Sequence, residues 1–213
     1  MGRPRRYIRR LILERHRLPN IFILHSWVGP LVWAVLYISD YTFTLTCARM
    51  YQNGIREKIS FEGSFELNPH FEKDIDSLRT LSPRFLLALA MTSLYLFGVW
   101  ALFAKTAPDI YAFVLGAMVL IQLAIHMRHL RNFFIFREAR TDAVLGRIEY
   151  SRKAVLWMSC TEMLAFAGLF STIAALTDSW FMCGGAVACL VLAGKHWRLA
   201  RKLVPLTDKM QTS

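Results

Sequence analysis

Five apolar stretches alternate with polar, charge-rich segments along this chain, at residues 21–47, 85–104, 110–127, 154–176 and 180–194. A bilayer core takes roughly 20 apolar residues per helical span, so the pattern predicts an all-α, polytopic helical membrane protein. Four of the stretches pair as tight hairpins, Phe85–Ala104 with Ile110–Met127 and Ala154–Leu176 with Trp180–Gly194. A hairpin returns to the side it left. The segments 48–84 and 128–153 and the tail from Lys195 are therefore expected on one face, and the turns Lys105–Asp109 and Thr177–Ser179 on the other.

The first stretch is less simple. It suits one tilted span by length, but Gly29-Pro30 interrupts it, and proline removes a backbone donor and clashes with the preceding turn. A kinked span and a re-entrant segment both fit, and length favours the span. Within 48–84, Pro69 fits a first helical turn, and Ile75, Leu78 and Leu81 recur at three-residue spacing, which predicts a helix over Pro69–Leu81.

Composition agrees with one membrane domain over 21–213, since 55% of the 213 residues are apolar. The net charge of +11 is unevenly placed. Seven arginines crowd residues 1–20, where Tyr7, Ile8, Leu11 and Ile12 suggest a basic amphipathic helix lying in the interface rather than a cleaved signal peptide. The other basic clusters flank apolar spans, so anionic headgroups are the expected partner and nucleic acid is not. The shared face carries 18 Lys/Arg against one in the turns, which points to a cytoplasmic position. A single first span would then leave the arginine-rich N-terminus outside. Cys47, Cys160, Cys183 and Cys189 have no CxxC spacing and read as small apolar fillers, not as disulfides or zinc ligands.

Shifting the chain by 69 residues superposes the hairpins, with nine identities over Arg84–Leu130 that include Asp109/Asp178 and Gly116/Gly185. Either chance among apolar residues or a parallel internal repeat accounts for this. Small-residue ridges at Ala167, Ser171 and Ala175 and at Gly184 and Ala188 suit close helix packing, within the chain or in a homo-oligomer or with a membrane partner protein.

The candidate chemistry lies in polar residues at membrane depth: Asp40, His126, Arg128 and Glu162. An ionised carboxylate there costs several kcal/mol by common accounts, so Glu162 must be neutral, paired or facing water. Arg128, His25 and Thr161 are its candidate partners. All four residues approach from the same face, which allows a shared vestibule handling protons or cations. His126 and His129 share a helical face, but no convincing further ligand follows, so no metal or other cofactor is expected. No GxSxG, HExxH, P-loop or GxGxxG occurs. The expected function is a proton- or cation-coupled transport protein or a subunit of one. The alternatives are a non-catalytic assembly protein and a lipid-active enzyme at the headgroups.

Four strings, Asp40–Thr44, Glu66–Pro69, Arg128–Asn132 and Gly146–Arg152, taken in order resemble a group of small prokaryotic polytopic membrane proteins with no assigned activity. The resemblance implies a prokaryotic cytoplasmic membrane and transfers no mechanism.

Overall fold

The computed structural model describes residues 20–64, 66–141 and 146–203. The basic segment expected at 1–20 lies outside them, apart from Asn20. The chain enters through α1 (Asn20–Leu24), turns at His25–Trp27 and continues as α2 (Val28–Met50). Gly29 and Pro30 fall in the first turn of α2, where proline's missing N–H has no helical partner to lose. The expected kink is therefore a helix start, and α2 runs unbroken beyond it.

α2 ends in a π-helical turn, Tyr51–Ile55, where Gly54 adopts a φ of 106° open to glycine and costly to other residues. There follow α3 (Arg56–Lys58), β1 (Ile59–Phe61), α4 (Glu72–Asp76), α5 (Pro83–Phe103), α6 (Pro108–Arg140), β2 (Ile148–Tyr150), α7 (Arg152–Thr177) and α8 (Trp180–Lys202). Serines cap three of the long helices: Ser82, Ser151 and Ser179 accept from the backbone N–H of Phe85, Ala154 and Met182.

Among the described residues, four helices are long and apolar enough to cross a membrane: α2 with its continuation to Lys58, α5, α6 and α7. α8 has similar length, but its apolar run stops at Gly194, before Lys195 and His196.

Three details differ from expectation. The described residues are mostly helical, as the sequence implies, but β1 and β2 pair in parallel with Ile59 opposite Ile148 and Phe61 opposite Tyr150. Such a small sheet needs tertiary support. Here Phe61 stacks on Tyr150 at 5.6 Å, with Tyr51 and Phe136 packed beside them. Secondly, α6 does not stop near Met127 but carries helix to Arg140, so its 33 residues outrun a bilayer core. Thirdly, the helix expected at Pro69–Leu81 shrinks to Glu72–Asp76. Asp74 turns back to accept from Ser82 at 2.6 Å and Arg79 at 3.4 Å, and Leu78 takes a left-handed φ of 52°. The Tyr41 hydroxyl then donates to the Arg79 carbonyl at 2.7 Å, tying this reversal to α2.

α6 is the most enclosed of the four spans, with 44% of its apolar window buried against 17% for α5. α2 packs on one side of it and α8 on another, while α7 pairs with α8. Along α2, Trp33, Tyr37 and Tyr41 recur every four residues; Trp33 stacks on Tyr37, and Phe85 of α5 stacks on both Tyr37 and Tyr41. Leu96, Tyr111 and Leu115 complete that layer. A second core joins Leu120 and Ala124 of α6 to Met163, Ala167, Cys189 and Ala193 of the α7–α8 hairpin.

Backbone contact sets the α6–α8 spacing. A Cβ on Gly116 would strike the Phe181 carbonyl, and one on Gly184 the Phe113 carbonyl. Gly184 is thus occupied within the chain, whereas Ser171 and Ala175 remain exposed beside a groove between α7 and α8. Gly116→Leu should separate these helices and cost about 2–3 kcal/mol of stability. Gly98→Leu, where a Cβ meets nothing within 4 Å, should leave it nearly unchanged. Thermal melting in detergent checks both, and equal melting of the two variants would refute the close contact.

Candidate functional site

The polar end of α6 reaches two neighbours at once. Successive helical residues are about 100° apart, so Arg128 and Arg131 face α7 while His129 faces α2. His129 Nε2 lies 3.0 Å from Asp40 Oδ1 and 3.3 Å from the Thr44 hydroxyl. Thr44 donates in turn to the Asp40 carbonyl at 2.9 Å. Arg128 donates to the Ser159 hydroxyl on α7 at 2.8 Å. Arg131 forms an ion pair with Glu162, also on α7. The partner of Glu162 is therefore none of the three that its surroundings in sequence suggested.

A loop closes over this cluster. Glu66 Oε1 accepts from the Asn68 N–H at 2.6 Å, and Arg152, at the start of α7, donates to the Ser64 and Glu66 carbonyls at 2.9 and 3.2 Å. Burial raises the Glu66 carboxyl above its ordinary range and Asp40 adds to the rise, while the Asn68 N–H, Arg128 and His129 oppose it.

Two cavities share Glu66, Leu67, Arg128 and His129 as a common wall. One, of about 220 Å³, is polar and lies between α2, α6 and α8, with Asp40, Gln122, Lys195 and His196 on its lining. The other, of about 140 Å³, lies between α6, α7 and the strands and is mostly apolar. Gln122, His129 and His196 are 8%, 5% and 5% exposed, yet Gln122 Oε1, His129 Nδ1 and His196 Nδ1 have no hydrogen-bond partner among the described residues. Buried polar atoms in proteins are nearly always bonded. The three residues that carry these atoms line the same cavity, beside Asp40 and Lys195.

Of the residues singled out from sequence, Asp40 and Arg128 line the polar cavity. His126 and Glu162 line neither cavity. Both ring nitrogens of His126 are engaged, Nε2 with the Ser39 hydroxyl at 2.6 Å and Nδ1 with the Gln122 carbonyl at 2.7 Å. It joins α6 to α2. Gln122, Lys195 and His196 escaped notice in the sequence. The first hides in an apolar run, and the others open a basic cluster that reads as a headgroup anchor. No group of three or more His, Cys, Asp or Glu that could hold a metal ion occurs among the described residues.

No protein-family model matches the chain, and neither a curated protein nor a solved structure matches it.

The raised carboxyl of Glu66 has a consequence for stability. The folded protein holds this proton more tightly than the unfolded chain does, so the contribution is complete below the ordinary carboxylate pKa. It is lost as pH rises through the folded value. Glu66→Gln keeps an oxygen for the Asn68 N–H and removes the charge. The variant should melt above wild type near pH 8 and level with it near pH 4. Lower melting of the variant near pH 8 would show that the ionised form is the one the fold favours.

Proposed function

We propose that this protein binds a small polar or anionic solute in the cavity beside Asp40, Glu66 and His129 and moves it with a proton, as a transport protein or a subunit of one. The single observation behind this reading is that Gln122, His129 and His196, each with a buried atom that has no partner among the described residues, all line a cavity of about 220 Å³. Arg128 and Lys195 on its lining favour an anionic group over a bare cation. Glu66, whose carboxyl burial holds above its ordinary range, and the Asp40–His129 pair at 3.0 Å are the proton-handling groups.

This reading moves the centre of the site away from Glu162. With Arg131 as counter-ion, Glu162 joins α6 to α7 and is a positioning residue. α8 serves as a fifth span, its apolar part ending at Gly194 where the basic run begins. The cavity then opens to the face rich in Lys/Arg, the cytoplasmic face of a prokaryotic membrane. Toward the other face, Trp33, Tyr111 and Leu115 close the path. Passage requires a helix to shift, and α5, least buried of the four spans, is the mobile element. The exposed apolar face of α5, with Leu87, Leu94 and Leu102 each 64–67% exposed, is the seam for a second copy or a membrane partner.

The test is proton movement into liposomes on addition of small anions such as phosphate, acetate or bicarbonate. Wild type should acidify the lumen with at least one of them. Glu66→Gln should slow this about tenfold or more while remaining folded, a loss typical of removing a proton-transfer group. Glu162→Gln should lower the melting temperature more than it lowers flux. No anion-dependent proton movement by folded wild type, or full movement by Glu66→Gln, would overturn the reading.

A further inference from the structure

The second cavity has a different chemistry. Its walls are Ile59, Phe61 and Tyr150 on the strands, Phe136 on α6 and Val155 on α7. Three guanidinium groups, Arg128, Arg131 and Arg152, also line it. A guanidinium has five N–H donors, and none of the three is fully occupied. Arg128 gives one to a hydroxyl and Arg152 two N–H···O contacts to carbonyls, so neither is neutralised by those partners. Arg131 is paired with Glu162, but its Nε is buried without a partner. The acids on the lining are Glu62, which accepts from the Arg152 backbone N–H at 3.0 Å, and Glu66, already engaged with Asn68.

The rim points to where a ligand would come from. Ile135, Ile148 and Met158 border the cavity and are 43%, 41% and 39% exposed, so apolar surface runs outward from it. α6 and α7, which supply most of the lining, are both membrane-spanning by length and composition. An apolar rim leading to arginines at the end of two spans suits a molecule with hydrocarbon and negative charge joined together. A volume of about 140 Å³ is far below that of a whole lipid. It is near the roughly 150 Å³ cavity that takes up benzene, which leaves room for a headgroup edge or the first few carbons of a chain, the remainder staying in the bilayer.

We propose that the cleft between α6, α7 and the β1–β2 pair is a binding site for one anionic membrane lipid, whose phosphate meets Arg128, Arg131 and Arg152 and whose chain leaves past Ile135 and Met158. The same chemistry would recognise a free phosphate ester, and the exposed apolar rim selects the lipid. The site shares Arg128 with the polar cavity, but Val155 and Met158 do not line that cavity, so substitutions at these two positions test the lipid site separately from the solute reading.

The experiment is native mass spectrometry of the purified full chain with phosphatidylglycerol, phosphatidylcholine or glycerol phosphate added. Wild type should retain one phosphatidylglycerol at a concentration about tenfold below that needed for phosphatidylcholine. Met158→Trp and Val155→Trp, which fill the cleft from two positions, should each lose that preference while melting close to wild type. Equal retention of the two lipids would overturn the proposal, as would undiminished preference in both folded tryptophan variants. Binding of glycerol phosphate as tightly as phosphatidylglycerol would overturn the lipid assignment and identify a soluble phosphate site.

Discussion

Charge packed between helices is the constraint on which this structure depends. Buried ionised side chains are costly unless paired, and the end of α6 puts three cationic or titratable residues, Arg128, His129 and Arg131, within one helical turn. Each finds its partner on another element: Ser159 and Glu162 on α7, Asp40 on α2. Pairing them fixes the azimuth of α6 relative to both neighbours. Its apolar half can then pack tightly, against Trp33 and Leu96 on one side and through Gly116 against α8 on the other.

The same pairing leaves polar space behind. α2 and α7 are held to α6 by side chains of different reach, and α8 contributes His196 and Lys195 from the far side. The result is a gap lined by Gln122, His129 and His196, each with one buried polar atom that no described residue bonds. The Glu66 loop, anchored by Arg152, lines this gap, while the β1–β2 pair, with Phe61 stacked on Tyr150, walls the second cavity. Two cavities of unequal polarity, with Glu66 and Arg128 in their common wall, are the outcome of one packing problem.

Much of the helical architecture was legible in the sequence because apolar length is a direct consequence of bilayer thickness. Asp40 and Arg128 stood out for the same reason, as polar residues in the wrong solvent. What was not legible depends on longer-range contacts. The strand pairing joins Phe61 to Tyr150, and no local periodicity reports a partner so distant. The partner of Glu162 was missed because the charged run after Met127 reads as a polar connection. Phe133 and Phe136 are enough to keep it helical once β1 and Tyr51 pack against it. The Pro69–Leu81 helix failed because Asp74, apparently a surface residue, is 6% exposed and committed to Ser82. His196 was obscured by its basic neighbours, since only the crossing of α8 over α6 turns it inward.

The account turns on a water-accessible polar cavity reached from the basic face alone. Thiol accessibility tests this most directly. With the four native cysteines replaced, single cysteines at Gln122 and Leu192, which line the cavity, and at Leu96, fully buried outside it, would be exposed to a membrane-impermeant thiol reagent from each side of sealed vesicles. The account predicts labelling at 122 and 192 from the side bearing Arg198 and Lys202, none from the other side, and none at 96. Protection of 122 and 192 from both sides, or labelling from the opposite side, would contradict it.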